Sequence, residues 1–474
     1  MNNKEDEIIK RDASYHLVGI GGIGMSGLAQ LLVSLGCRVS GSDRGMALPE
    51  NKRIFDALKA QGIKLYEQNG SYIQDGKPDA LIYSTAIENE NPDFACVPDI
   101  KRIHRSEALS GAMMLSEQRM IAVTGTCGKT TVTSWLAEVL HNSGFSPSFI
   151  SGGLVKSFCS PVYAGNFYPG KGEFMVFEAD ESDKSLLAYS PDYAVILNIG
   201  TDHYPKEELA AVFREFLKKV KKGVVVEDSV YEALGKDAFS GLELRIFSAN
   251  TGFRSSVEKV DWRLSGYHAG RAGVIASIND KYELKLPAPG IHTAANALAI
   301  LALLDLIAFD MVKALEAVSR FNGVWRRFDF AGTMSNGLRI YDDYAHNVEK
   351  ICSCVSAARE IAYGRIFAVF QPHGYGPLGF MKDELLPALE KNMRENDVFA
   401  LLPVYYAGGT SSFKPSSEDV ISEFALKGKK EYLYFPDRAS AVEYIRKNAG
   451  ADDLLLIMGA RDNSLSDWAK SIKI

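Results

Sequence analysis

Gly125-Thr126-Cys127-Gly128-Lys129-Thr130-Thr131 is the stretch of this chain best equipped for chemistry. An apolar strand, 121–123, runs into it, and Lys129-Thr130-Thr131 opens a helix. Gly125 and Gly128 let backbone N–H groups turn into the loop, where they can cradle phosphates. The helix N-terminus adds favourable partial charge, Lys129 a cation, and the Thr130 hydroxyl a ligand for phosphate-bound Mg2+. The spacing is two residues shorter than the general G-x-x-x-x-G-K-[ST] loop, which excludes the commonest nucleotide-hydrolase loop but keeps its chemistry. A Gly-rich turn before an ordinary helix is the plainer alternative. The strand–turn–helix context favours phosphate, and the segment is predicted to bind a nucleoside triphosphate.

Gly19-Ile20-Gly21-Gly22-Ile23-Gly24 reads G-x-G-x-x-G between a strand and a helix, with Asp43 ending the next strand. The pattern reports a diphosphate at a helix N-terminus, in a nicotinamide dinucleotide or in a nucleotide sugar. A second phosphate site further along weighs against an oxidoreductase. Glu178-Ala-Asp-Glu-Ser-Asp183 follows an apolar strand, where catalytic groups collect in parallel sheets. Mg2+ takes one or two carboxylates plus phosphate oxygens. Glu178, nearest the strand end, is the best ligand candidate; a solvated acidic loop describes Asp183 better. Asn198 through Asp202-His203 follows the next apolar strand. A lone histidine is more often structural, yet His203 again follows a buried strand of the same block. Arg326-Arg327-Phe328 falls at a block junction, and Asp342-Asp343-Tyr344-Ala345-His346 ends a strand beyond it. An arginine or carboxylate there can report closure onto a triphosphate. Equally, Arg327 can be a surface salt bridge and Asp343 a helix cap.

Three α/β blocks in series must position these groups. In the first, strands 16–20, 38–42, 63–66 and 81–84 alternate with helices, the signature of a parallel sheet. The second begins near Arg119 and holds the phosphate loop, strands 174–177 and 194–199, an antiparallel excursion over 260–286, and helices 292–309 and 312–321. The third repeats strand–helix units, among them strand 338–341, helix 348–361, strand 365–370, a helix over 382–391 and strand 454–458. The predicted boundaries give domains 1–115, 116–325 and 326–474. With 474 residues, 46% hydrophobic and 24% charged, the chain can bury several cores. A net charge of −6 argues against a nucleic-acid partner. The charged first eleven residues lack a signal-peptide core and no apolar run spans a bilayer, so a cytoplasmic location is expected. Six scattered cysteines without a C-x-x-C pair read as reduced thiols.

Taken in order, these motifs resemble the Mur ligases of peptidoglycan synthesis, most of all the members that add L-alanine. The matching stretches are 16–27, Ser40-Gly-Ser-Asp43, Ser84-Thr-Ala-Ile87, Gly125–Thr131, Glu178–Asp183 and Asn198 through Asp202-His203. They continue with Gly290-x-His292-x-x-x-Asn296-Ala297, Phe321-Asn-Gly-Val-Trp-Arg-Arg-Phe328, Asp342–His346, Phe370-Gln-Pro-His373 and Gly459-Ala460. The resemblance covers nearly the whole chain. It implies an α/β, three-domain architecture: an N-terminal Rossmann-like domain binding a UDP-sugar, a central P-loop ATPase domain, and a C-terminal α/β Rossmann-like domain bringing the amino acid. By resemblance, Gly21, Gly22, Ile23, Gly24, Asp43, Ser84 and Thr85 meet the UDP-sugar. Gly125, Thr126, Gly128, Lys129, Thr130, Thr131, Asn296, Arg327 and Asp343 meet ATP, and Tyr344 and His346 face the amino acid. Thr130 and Glu178 resemble ligands of the ATP-bound Mg2+ and His203 a ligand of a second ion; Lys129, Glu178, His203 and Arg327 carry catalysis.

The implied reaction is ATP-dependent amide formation on the lactyl carboxylate of UDP-N-acetylmuramate through an acyl phosphate, by a monomer or weak homodimer with no nucleic-acid or membrane partner. L-alanine is the default acceptor. A peptide, in cell-wall recycling, or another amino acid is the alternative. Three departures bear on this. Cys127 stands where the alanine-adding members usually have His, and the segment after Asp-His is shortened to Tyr204-Pro-Lys206. Gly374 and Pro377 stand where arginines usually clamp the amino-acid carboxylate, and neither can supply a bidentate guanidinium. The Gly374–Gly376 stretch is expected to be a flexible turn.

Overall fold

The computed structural model describes residues 7–200, 205–250, 257, 259–270, 273–406 and 413–472. They form three sheets. The first consists of β1 (Ser14–Val18), β2 (Arg38–Ser42), β3 (Lys64–Tyr66), β4 (Ala80–Tyr83) and β5 (Lys101–His104), all parallel, in spatial order β3-β2-β1-β4-β5. Its central residues Leu17, Val18, Leu81 and Ile82 are fully buried. The order of strand addition reverses between β1 and β4, which opens a crevice outside their carboxyl ends.

The second sheet holds β6 (Arg119–Thr124), β7 (Ser148–Ile150), β8 (Phe167–Tyr168), β9 (Phe174–Glu178), β10 (Tyr193–Ile196), β11 (Gly223–Glu227), β12 (Glu243–Ser248), β13 (Trp262–Gly270), β14 (Gly273–Ile278) and β15 (Tyr282–Leu286). Its order is β15-β14-β13-β12-β11-β10-β6-β9-β7-β8. Parallel pairing runs from β13 to β7, and β8 closes the edge antiparallel to β7. The near-continuous apolar runs of β6, β9 and β10 belong to strands covered on both faces: Ile121, Val123, Val176, Phe177, Val195 and Ile196 are fully buried. The third sheet contains β16 (Asp329–Thr333), β17 (Arg339–Asp343), β18 (Ile366–Phe370), β19 (Val398–Leu401), β20 (Glu431–Tyr434) and β21 (Leu454–Met458). Its order is β16-β17-β21-β18-β19-β20, parallel except for β16. Apolar clusters cover both its faces, one around Ile351, Val355 and Leu385, the other around Ile445, Leu465 and Ala469.

Each expected α/β block has its own sheet, but the chain divides into two compact units. One is Met1–Gly266 with Ala276–Leu284 and Ala294–Val324; the other is Tyr267–Ile275 and Lys285–Thr293 with Trp325–Ile474. The first and second sheets therefore share a unit, apart from the far edge of the second. The largest local correction concerns residues 374–381. Instead of a flexible turn before a helix at Lys382, a helix spans Tyr375–Asn392 with Gly374 as its N-cap. Pro377 falls in the first turn, whose N–H groups have no intrahelical partner, so the missing donor costs nothing there. No described helix is long and apolar enough to cross a membrane. The six cysteines are free, as expected.

Candidate active site

The phosphate loop links β6 to the helix Lys129–Asn142, and Gly128 is the N-cap of that helix. Gly125 and Gly128 adopt φ of +130° and +93°, a region that side chains other than glycine's rarely enter. Space forbids substitution too, since a Cβ at Gly128 would fall 2.8 Å from Asn296 Oδ1. Asn296 is buried in the helix Ile291–Leu306, so the structure brings it to the loop. The end of β10 clamps the loop from the other side. Cys127 N–H donates to Asn198 Oδ1 (2.8 Å), Asn198 Nδ2 donates to the Cys127 carbonyl (2.9 Å), and Gly200 N–H donates to Thr126 Oγ1 (2.8 Å).

Lys129 Nζ donates to the Gly125 carbonyl and to Glu181 Oε2, each at 2.8 Å, with Asp180 Oδ1 at 3.9 Å. Burial works against the ammonium, but the Glu181, Asp180 and Glu178 carboxylates outweigh it and hold its pKa above the usual lysine value. A cation is therefore present at any physiological pH. Glu178, at the end of β9, is held by Gly152 N–H (2.6 Å) and Ser151 Oγ (3.1 Å) on Oε1, while Oε2 accepts from Thr130 Oγ1 at 3.3 Å. One carboxylate and one hydroxyl facing each other beside a phosphate loop fit Mg2+, which completes its shell with phosphate oxygens and waters. No set of three or more His, Cys, Asp or Glu residues able to hold a metal occurs among the described residues. His203 lies outside the described residues.

In the first sheet, Gly22 is the N-cap of the helix Ile23–Ser34 at the β1/β4 crevice. Both Asp43 oxygens are used by the backbone: Oδ2 accepts from Gly21 N–H (2.8 Å) and Oδ1 from Gly45 N–H (2.7 Å). Asp43 thus shapes the loop. A Cβ at Gly21 would lie 2.6 Å from Phe55 Cζ, and one at Gly24 would lie 2.9 Å from Arg105 Nη1. The Arg105 guanidinium, unremarked in the sequence, therefore stands beside the loop. Ser84 and Thr85 follow β4 at the same sheet edge, turned by an Ile87 N–H to Ser84 carbonyl bond of 3.1 Å.

In the second unit, the carboxyl ends of β17, β18 and β21 collect Asp343, Tyr344, His346, His373 and Arg461. Asp343 accepts from Phe328 N–H (2.6 Å) and Ala345 N–H (2.7 Å), and it does not cap the following helix, whose N-cap is Asn347. The Arg327 guanidinium carbon lies 5.6 Å above the centre of the Tyr344 ring. Arg326, one residue earlier, is 1% exposed and donates to the carbonyls of Gly459 (2.5 Å) and Asp462 (2.8 Å) while pairing with Asp342 at 3.3 Å. Adjacent arginines thus divide: Arg326 ties strand ends together and Arg327, half-buried, lies over the Tyr344 ring. The His346 and His373 rings meet edge-on at 5.4 Å, and Tyr344 Oη accepts from Arg461 N–H at 3.2 Å. Burial lowers the His346 pKa to about 4, the Tyr344 carbonyl opposing, so its imidazole is neutral at pH 7.

Comparison with known proteins decides what such a constellation belongs to. Residues 14–116 match the Mur ligase family catalytic domain, 123–304 the Mur ligase middle domain, and 326–461 the Mur ligase glutamate ligase domain. A UDP-N-acetylmuramate--L-alanine ligase of Chelativorans sp. (strain BNC1) is 32% identical over 473 residues, covering 96% of this chain and 97% of its own. The chain belongs to the Mur ligase family. A relative of the same name from Desulforamulus reducens is 32% identical over 95% of this chain and 96% of its own. Among solved structures, a UDP-N-acetylmuramate-alanine ligase from Thermotoga maritima superposes with a TM-score of 0.76 at 27% identity, covering 97% of this chain and 98% of that one. A murein peptide ligase from Psychrobacter arcticus, at 22% identity and a TM-score of 0.66, shares the fold.

Within this Mur ligase, sequence reasoning missed Ser151 and Gly152, which aim Glu178, and Glu181, which holds Lys129. The available signal was Ser151-Gly152-Gly153 after the three-residue strand β7, too short to register as a strand.

Proposed function

We propose that this Mur ligase joins L-alanine to the lactyl carboxylate of UDP-N-acetylmuramate, converting ATP to ADP and phosphate. The observation that carries the reading is the Lys129–Thr130–Glu178 cluster at the phosphate loop, in a chain that aligns end to end with alanine-adding relatives. A free carboxylate is a poor acyl donor because its leaving group would be oxide. Its oxygen therefore attacks the γ-phosphorus as the bond to ADP breaks. The amine then attacks the acyl carbon, phosphate leaves, and a proton is released. Lys129 neutralises phosphate charge, the Gly125–Gly128 amides orient the chain of phosphates, and Asn296 closes the loop from the side. Mg2+ would be held by Thr130 and Glu178 and would supply further charge neutralisation; by resemblance His203 would serve a second ion. Arg327 and Asp343 are proposed as nucleotide contacts, Tyr344 and His346 as amino-acid contacts. Gly21, Gly22, Ile23, Gly24, Asp43, Ser84 and Thr85 are proposed to take the UDP-sugar, with Arg105 adding a cation near its diphosphate.

The reading is tested directly with purified protein, ATP, Mg2+ and UDP-N-acetylmuramate, by following phosphate release as amino acids and peptides are added singly. Gly21→Leu, whose branch would collide with Phe55 and Asp43, is expected to weaken UDP-N-acetylmuramate binding at least about tenfold. ATP affinity should stay unchanged; calorimetric titration of each ligand distinguishes the two. Tight NADH binding by the unsubstituted protein would return the Gly-rich turn to the dinucleotide reading.

A peptide acceptor is favoured by one observation, the absence of arginine side chains at Gly374 and Pro377. The first-turn N–H groups of the helix Tyr375–Asn392, or Arg461 beside Tyr344, offer the acceptor carboxylate a substitute partner. L-alanine is accordingly expected to give the highest kcat/KM among L-alanine, L-serine, glycine and L-alanyl-D-glutamyl peptide. A preference for the peptide of about tenfold or more, roughly 1.4 kcal/mol in the transition state, would move the function to peptide recycling.

A further inference from the structure

We propose that Asn166 is a positioning residue: its side-chain amide locks the helix bearing the nucleotide-sugar loop to the edge of the sheet that carries Glu178 on β9, and so fixes the spacing between the two substrates. The inference rests on the ligase reaction proposed above. Asn166 is fully buried and directly precedes β8. Its Nδ2 donates to the Ile23 carbonyl (2.7 Å) and to Ser26 Oγ (2.9 Å), and its Oδ1 accepts from Gln30 Nε2 (3.0 Å). Three groups spread over two turns of the helix Ile23–Ser34 are thus engaged by one planar amide. Ser26 Oγ in turn donates to the carbonyl of Gly22, the helix N-cap in the Gly-rich loop, at 2.9 Å. Gln61 extends the network, donating to Gln30 Oε1 (2.9 Å) and the Val162 carbonyl (2.7 Å).

The other end of the connection reaches the metal-binding candidate. The Asn166 carbonyl accepts from Ser151 N–H at 2.9 Å, and Ser151 Oγ donates to Glu178 Oε1 at 3.1 Å. An unbroken path of short contacts therefore runs Gly22–Ser26–Asn166–Ser151–Glu178. Gly27 permits the approach: a Cβ there would fall 3.0 Å from Ile150 Cγ1 on β7. Ser26, Gln30 and Asn166 are all completely buried. Apolar residues would bind two such surfaces at least as strongly, but without a fixed register. A fully satisfied polar network holds in one arrangement, because any slip leaves buried groups unpaired. Register matters here because a carboxylate and a phosphorus held by different sheets must meet at about 3–3.5 Å, and a 1 Å error costs on the order of a hundredfold in rate.

The test uses Asn166→Ala and the isosteric Asn166→Asp, which keeps the acceptor for Gln30 but turns the donor to Ile23 into an acceptor. For each variant, dissociation constants for UDP-N-acetylmuramate and for Mg2+ with a non-hydrolysable ATP analogue are measured separately, alongside kcat at saturating substrates and the thermal midpoint. The expected result is a kcat lowered about tenfold or more, with each dissociation constant within about threefold of the unsubstituted protein. A smaller fall in kcat, or parallel weakening of both ligands with a lowered midpoint, overturns the proposal in favour of a purely structural network. Should neither variant fold, Ser26→Ala, which deletes only one of the two acceptors of Nδ2, is held to the same kcat and binding criteria. An unsubstituted protein that turns over no acceptor removes the ligase reading itself; an active protein with unimpaired variants removes only the role of Asn166.

Discussion

Lys129→Ala is expected to reduce ATP-dependent phosphate release by about a thousandfold or more while leaving a folded protein. Charge on the transferring phosphoryl group must be met by fixed cations, and loss of one such partner in a desolvated site costs two to three powers of ten in typical cases. The structure adds a reason to expect the upper end. Lys129 is held in place before any nucleotide arrives, by the Gly125 carbonyl and by Glu181, each at 2.8 Å. The substitution also leaves Glu181, only 2% exposed, without its cation. Burial already pushes that carboxyl up, so it takes up a proton rather than remain an isolated buried charge, and the fold survives at modest cost. Phosphate release measured beside circular dichroism checks both halves. A folded variant with near-normal turnover would remove the phosphate-loop assignment.

Glu178→Ala should raise the Mg2+ concentration needed for half-maximal activity at least about tenfold and lower the rate at saturating Mg2+ by about a hundredfold. Its carboxylate faces Thr130 on one oxygen and is fixed by Ser151 and Gly152 on the other, so the substitution removes a charged oxygen ligand that is oriented before the ion arrives. Glu178→Gln, which keeps the shape and the acceptor but loses the charge, should fall between. UDP-N-acetylmuramate binding should hardly change, because the Gly-rich loop at Gly22 belongs to a different sheet. Titrating Mg2+ at fixed ATP, with separate binding of the UDP-sugar, gives the answer. Unaltered Mg2+ dependence together with lost sugar binding would show the ion to be placed wrongly.

Much of the candidate site was legible because phosphate chemistry demands local patterns. A turn that points amides inward needs glycine at positive φ, as Gly125 and Gly128 confirm, and a helix that starts with Lys-Thr-Thr needs no distant partner to be recognised. The buried strands β6, β9 and β10 were equally readable from their apolar runs, since a parallel strand covered on both faces cannot tolerate alternation. Short and edge elements escaped: β7 and β8 span three and two residues and form only because β9 and the helix Ile23–Ser34 offer them a surface. The helix start at Gly374 was concealed by a glycine–proline composition that reads as a turn.

By itself, then, the amino-acid order determined which residues can bind phosphate, the α/β character of each block, and the order of the motifs along the chain, because each depends on neighbours within a turn or two of backbone. Tertiary structure alone decided how those residues are aimed. Glu178 is oriented by Ser151 and Gly152, about 26 residues away; Lys129 by Glu181, 52 residues away; Asn166 meets Ser26 across 140; and Arg326 rather than Arg327 is buried because carbonyls more than 130 residues on accept its protons. A hydrogen bond depends on distance and direction in space, and for partners so far apart along the chain those are fixed only when the sheets pack.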